Sequence, residues 1–227
     1  MEKKKYELCL EVLRRFHEAG ILDNVVLIGS WCLYFYQDYF SGLHYTPTIR
    51  TRDIDFLVPT PSKFKKKIDI PEMLKDLGFV VDFRGTKGYI RLIHPDLFVE
   101  FLVPERGKGI GKPYPLPQLG LNAQALRFLD FLAKNIIIVK TDTMTIKLPH
   151  PVAFAFQKLI IFQRRTKQEK AKRERKQALM ILNFLVKKKA DKEIKGIFNS
   201  MHKSWQKKVL NTLKSLEQKQ IIQMLTL

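Results

Sequence analysis

Apolar residues recur at helical spacing from the start of the chain. Leu8, Val12, Leu13 and Phe16 fall on one face, so residues 3–19 read as an amphipathic helix that stops at Gly20. Residues 25–28 (Val-Val-Leu-Ile) are a short unbroken apolar run, the mark of a buried strand. Gly29-Ser30 interrupts it, and an aromatic-rich helix is predicted over residues 31–40. Residues 41–52, with Gly42 and Pro47, read as a polar loop, and residues 54–58 as a second strand closed by Pro59 and Pro61. Residues 71–77 suit a short helix with Pro71 at its first position and Gly78 past its end. Residues 79–84 and 89–94 flank a Gly85–Gly88 turn and predict a hairpin. A strand over 97–103 ends at Pro104, residues 104–120 read as a Gly/Pro-rich loop, and 136–139 with 143–148 form a last pair of strands.

The texture changes after Pro149. Helices are predicted over 151–165, 168–188, 191–200 and 205–225, with Ala178, Leu182 and Leu185 on one face of the second. The reading is an α+β fold: a mixed sheet with flanking helices over 1–148, then a helical bundle over 149–227.

Composition narrows the partners. The 227 residues carry 41 Lys+Arg against 22 Asp+Glu, a formal charge of +19, which favours a polyanion: RNA, DNA, a nucleotide or an acidic membrane surface. Cys9 and Cys32 sit in apolar helical patterns with no metal or redox spacing, as expected of reduced thiols in a cytoplasmic protein. No window approaches a membrane span, and residues 1–7 lead straight into the first helix with no apolar signal region.

The candidate chemistry lies in three places. Asp53 and Asp55 are one residue apart at the start of a strand, so both carboxylates project to one face while Ile54 and Phe56 turn to the other. Like charges so placed repel unless a cation lies between them, and a hard divalent ion suits oxygen ligands. Glu100 is a lone carboxylate in an otherwise apolar strand and needs a partner, either a cation or a basic side chain. Gly29-Ser30, at a strand-to-helix junction, allows close backbone approach and offers N–H and hydroxyl donors to a phosphate.

Together, Gly29-Ser30, Asp53-Ile54-Asp55 and Glu100 resemble the nucleotidyltransferase superfamily of DNA polymerase beta, over roughly residues 24–103. Gly29-Ser30-Trp31 and the following helix resemble stand-alone bacterial members, some of which are toxins of abortive-infection and toxin–antitoxin systems; that likeness extends through Pro149 and Lys158. The resemblance implies two Mg²⁺ ions bridged by Asp53 and Asp55, with Glu100 as third ligand and acceptor of the attacking hydroxyl's proton. It implies an NTP such as ATP as substrate, its phosphates cradled by Gly29 and Ser30. It also implies a phosphate-binding lysine on a helix after the sheet, for which Lys158 is the candidate; by helical spacing Arg165, two turns on along the same face, or the adjacent Arg164 extends the anion-binding surface.

Lys158 is the single charge in the apolar stretch 151–162, so its ammonium needs an anion or a route to water. Residues 163–176 hold eight Lys+Arg and two Glu, a ridge that fits a nucleic-acid backbone, with Arg164, Lys172, Arg173 and Lys176 as candidate contacts. Glu169 and Arg173 are also spaced to pair on a solvated face. Two departures stand out: a long spacer from Ser30 to Asp53, and Gln177 after Lys176 where the toxin relatives carry an acid. His44, His94 and His150 read as structural. The leading expectation is NMP transfer to RNA, tRNA first, with an antitoxin as a further partner. Transfer to a protein or small molecule, and a binding module without turnover, are the alternatives.

Overall fold

The computed structural model describes residues 2–40, 51–105, 107–109 and 111–226. The expected loop over 41–52 and its His44 therefore lie almost wholly outside the described residues. The chain divides into two compact units, Met1–Pro149 and His150–Leu227.

In the first unit, α1 (Glu2–Glu18) leads to β1 (Val26–Ile28), a 3₁₀ turn (Gly29–Trp31) and α2 (Cys32–Tyr39). β2 (Asp53–Leu57) and α3 (Ile70–Leu74) precede the hairpin of β3 (Val80–Arg84) and β4 (Tyr89–Ile93). β5 (Phe98–Pro104), β6 (Tyr114–Leu116), β7 (Leu121–Leu126), α4 (Leu129–Lys134), β8 (Ile136–Lys140) and β9 (Thr145–Pro149) complete it. The main sheet runs β1-β2-β5-β4-β3. β2 and β5 pair in parallel at its centre, and β1 and β4 flank them antiparallel. β7 takes over the β4 side of β5 at Leu102–Pro104, again in parallel. The mixed α+β architecture expected from the hydrophobic pattern is the one observed.

One face of the sheet is the core. Phe16 from α1 packs on Phe56 and Phe101, with ring centroids 5.0 and 6.1 Å away, and Phe56 stacks on Phe101 at 5.5 Å. Cys9, Val12 and Leu13 share that buried stripe of α1. Burial pushes the Cys9 thiol well above its ordinary pKa, so it is an inert core thiol. The opposite face of the sheet keeps its side chains half-exposed along Asp53, Asp55, Glu100, Tyr89 and Arg91.

Several elements differ from the pattern reading. The segment 104–120 contains β6 and a 3₁₀ turn, and β7 and α4 follow where no element was expected. β6 is three residues long with Pro115 inside it, and β7 reads Leu-Asn-Ala-Gln-Ala-Leu, poor in the branched and aromatic residues that mark strands. Its place is fixed by pairing to β5, a tertiary constraint.

The second unit is all helical: α5 (Pro151–Ile161), a 3₁₀ turn (Phe162–Arg164), α6 (Gln168–Lys187), α7 (Asp191–Asn199), α8 (Lys203–Ser215) and α9 (Lys219–Thr226). α5 is buried along nearly its whole length, as its continuous apolar sequence requires, and packs against α6, α7 and α8. The single helix expected over 205–225 is two, because the chain turns at Glu217 with φ +54°. Among the described residues no helix is long and apolar enough to cross a membrane.

Candidate active site

The alternation of β2 places Ile54 and Phe56 in the core and Asp53 and Asp55 on the other face. The parallel register sets Asp55 opposite Glu100 and Asp53 opposite Phe98. Val99 and Phe101 of β5 are buried, so Glu100 shares the face of the two aspartates. On the other side of β2, Ile28 stands opposite Asp55, and the next residue, Gly29, opens the 3₁₀ turn that carries Ser30. Gly29 has φ +79°, and a Cβ there would lie 2.5 Å from Asp55 Oδ2. Glycine is required twice over, for the left-handed backbone and for the carboxylate pressed against it. The structure thus brings Gly29, Ser30, Asp53, Asp55 and Glu100 into one region of one sheet face.

Glu100 is 15% exposed and lies against two guanidinium groups. Arg84 Nη1 donates to Glu100 Oε1 at 3.2 Å, and Arg91 Nη1 is 3.8 Å from the same oxygen. Burial pushes the Glu100 carboxyl up; Arg84 and Arg91 pull it back and the charge of Asp53 pushes it further, with a net rise. Arg91 is itself clamped: its Nη2 donates to Asp82 Oδ2 at 2.9 Å and its guanidinium lies 4.4 Å from the centre of the Phe98 ring.

Among the described residues, no group of three or more His, Cys, Asp and Glu side chains is gathered closely enough to hold a metal ion as it stands. The donors nevertheless suit a hard divalent cation. They are carboxylates that share a sheet face, Asp53 raises the cost of ionising Glu100, and a cation there removes that cost. Asp53 and Asp55 would hold it, with Glu100 the third donor.

The remaining candidates belong to the second unit. Lys158 is buried, and its anion is Glu174: Nζ stands 3.5 Å from Glu174 Oε1 and 5.1 Å from the centre of the Phe154 ring. Arg165 grips the same carboxylate with two bonds, Nε to Oε2 at 2.9 Å and Nη2 to Oε1 at 2.7 Å. Arg165 reaches it from the extended residue after the 3₁₀ turn, not along a continuous helical face as expected. The buried ammonium thus has a side-chain partner, and Lys158 and Arg165 form a structural ion cluster in this state. Arg164, Lys172, Arg173 and Lys176 are exposed, and Gln177 is buried. His150, which read as structural, caps α5, its Nδ1 accepting from Val152 N at 3.2 Å.

Residues 7–203 match a protein family described as Nucleotidyltransferase. The chain belongs to this nucleotidyltransferase family. No curated protein matches the sequence. Among solved structures, an antigenic nucleotidyltransferase-like protein from Paracoccidioides brasiliensis aligns over 97% of this chain and 92% of its own, with a TM-score of 0.50 and 10% identity. At that identity the likeness shows a nucleotidyltransferase-like fold.

Sequence reasoning for this nucleotidyltransferase missed Glu174 and the Arg84–Arg91 pair. Glu174 was detectable: it lies one turn before Ala178 on the stripe that continues through Leu182 and Leu185, all buried. The arginines had no such signal, because only the register of β3, β4 and β5 brings them to Glu100.

Two substitutions probe this geometry. Gly29→Ala is expected to lower stability by about 1–3 kcal/mol in urea unfolding, from backbone strain alone, and to displace the Asp55 carboxylate. Glu174→Gln removes the buried carboxylate shared by Lys158 and Arg165 and is expected to cost about 3–5 kcal/mol near neutral pH. Burial pushes the Glu174 carboxyl up, but Arg165 and Lys158 outweigh it and hold it below the ordinary range. Its contribution is therefore complete above the unfolded-state pKa and lost as pH falls through the lower folded-state value. The gap between native protein and variant, measured by urea unfolding across a pH series, should be flat near neutrality and close only on the acid side.

Proposed function

We propose that this chain transfers a nucleoside monophosphate from an NTP to a hydroxyl of RNA. The observation that carries the reading is the alignment of Asp53, Asp55 and Glu100 on one sheet face beside the Gly29-Ser30 turn. Gly29 lets the chain approach a triphosphate closely, and the turn's N–H groups with the Ser30 hydroxyl donate to its phosphates. Asp53 and Asp55 would hold Mg²⁺, two ions by the family resemblance. A divalent cation there would neutralise the triphosphate and stabilise the entering and leaving oxygens. The acceptor oxygen attacks the α-phosphorus in line, the bond from the α-phosphorus to the bridging oxygen breaks, and pyrophosphate leaves. Glu100, opposite Asp55 on the adjoining strand, takes the acceptor's proton.

Charge supports RNA over a small acceptor. Of the chain's 41 Lys+Arg and 22 Asp+Glu, residues 150–227 carry 19 and 5, so this unit holds +14 of the +19. On α6, Lys172 and Lys176 are one turn apart and point away from the buried stripe, flanked by Arg173 and Arg175. Arg164 lies just before, also exposed. Such a face binds a phosphate backbone through released counterions.

The decisive experiment incubates the protein with each α-labelled NTP, Mg²⁺ and total cellular RNA or lysate. Label is expected in RNA, and Asp53→Ala or Asp55→Ala should reduce it by about a thousandfold or more. Label that persists in both variants overturns the site; label in protein or small molecules overturns the acceptor. The resemblance extends the proposal to tRNA and to a toxin restrained by an antitoxin. It requires label in tRNA above other RNA, and growth arrest on expression that Asp53→Ala lacks. Replacing Lys172, Arg173 and Lys176 together by Ala should weaken RNA binding and flatten the plot of log affinity against log salt. The slope should fall by about one for each phosphate that the variant no longer neutralises, read by filter binding.

A further inference from the structure

One cross-strand row of charge runs over four strands of the main sheet. Register sets Asp55 of β2 beside Glu100 of β5, Glu100 beside Arg91 of β4, and Arg91 beside Asp82 of β3. From Glu100 outward the signs alternate, with Arg91 2.9 Å from Asp82 and 3.8 Å from Glu100. The row stops at Asp82, because β3 ends the sheet and pairs with β4 alone among the described residues. A further strand would complete it by setting a cation opposite Asp82.

The same edge is apolar where edges are usually protected. Val80, Val81 and Phe83 are 58%, 42% and 67% exposed, three of the six large apolar side chains exposed among the described residues. Alternation puts Val81 and Phe83 on the core face of the sheet, opposite Leu92 and Ile90. Phe16 of α1 covers that face at Phe56 and Phe101, and Leu92 is still buried, but at β3 the cover has ended. Unpaired edges normally carry a lysine, a proline or a bulge that stops another strand from adding. Val80–Arg84 contains neither lysine nor proline and pairs one-to-one with Tyr89–Ile93, without a bulge.

We infer that β3 is a dimer interface, at which a second copy of this chain adds its own β3 antiparallel with Phe83 on the twofold axis. In that register Asp82 stands opposite Arg84 of the second copy, and the symmetry repeats the pair. The strand itself thus supplies the cation that the row lacks. Phe83 meets Phe83 of the second copy, and Val81 meets Gly85, beside which there is open space. The exposed apolar ledges of the two copies join into one strip. Neighbouring registers fail. An axis on Asp82 opposes two carboxylates, an axis on Arg84 opposes two guanidinium groups, and an axis between residues sets apolar faces against polar ones. Net charge opposes the contact only weakly, because residues 1–149 carry 22 Lys+Arg against 17 Asp+Glu and most of the excess belongs to the helical unit. In the dimer Arg84 serves two carboxylates, Asp82 of the second copy and Glu100 of its own chain, so the interface ends one side chain from the candidate site.

The test is sedimentation equilibrium of the full chain over a concentration series, without NTP or RNA, so its outcome is independent of the transfer reading. A species of twice the 26.6 kDa chain mass is expected at micromolar concentration. Phe83→Lys sets two ammonium groups face to face on the axis and should raise the dimer dissociation constant by about thirtyfold or more. Its far-UV circular dichroism should be unchanged, since the side chain it replaces is largely exposed. Two charge variants read the register. Arg84→Glu alone opposes carboxylates, Asp82→Arg alone opposes guanidinium groups, and each should be monomeric. Mixed in equal amounts they should form a heterodimer, because every carboxylate at the edge then meets an arginine. A native chain that stays monomeric to about 100 µM overturns the inference and gives the edge to a strand of another protein. A dimer that survives Phe83→Lys, or either charge variant alone, overturns it by placing the contact elsewhere. Charge variants that fail to associate on mixing overturn it by removing the register on which it stands.

Discussion

The parallel pairing of β2 with β5 is the constraint on which the rest of this molecule depends. It places Asp55 beside Glu100 on one face and Phe56 beside Phe101 on the other. The second face pays for the first. Phe56, Phe101 and Phe16 form a buried aromatic cluster that holds the two strands in register, and that register forces carboxylates together. A slip of one residue would bury the aspartates and expose the aromatics, so packing alone specifies the alignment.

The repulsion so created is managed by neighbours. Arg84 and Arg91 reach Glu100 from the adjoining hairpin, and Asp82 and Phe98 immobilise Arg91 in turn. The helical unit meets a related problem differently. There, one buried glutamate serves two cations, and its carboxyl is held ionised by hydrogen bonds and nearby charge despite burial. The net effects are opposite in sign. The glutamate in the sheet is pushed toward its neutral form, while the glutamate among the helices is held in its charged form.

Much of this was legible in the sequence, and the reasons are particular. Period-two alternation in Asp-Ile-Asp-Phe-Leu was enough to put two carboxylates on one face, and the lone Glu100 in an apolar strand to add a third on the same sheet; that it shares their face is fixed by the register of β2 and β5. The hairpin of β3 and β4 announced itself by its Gly85–Gly88 turn. What could not be read was anything fixed by partners distant in the chain. β7 has weak strand propensity and is a strand because β5 offers it an edge. The meaning of Lys158 changed for the same reason: its anion is sixteen positions away on another helix, brought near by packing of α5 on α6. Arg165 looked like a continuation of a helix and is instead the residue after the helix has ended.

The contact between Gly29 and Asp55 has a consequence for tracing relatives. At 10% identity to a solved structure, overall similarity says little about which copies of this fold remain competent. Position 29 offers a sharper criterion. A relative can exchange its lysines, lose β6 or lengthen its loops and still keep the carboxylate row. A relative with a side chain at this turn cannot keep Asp55 Oδ2 where it stands. A single added carbon at this turn therefore tells whether a relative keeps the Asp55 carboxylate in this contact.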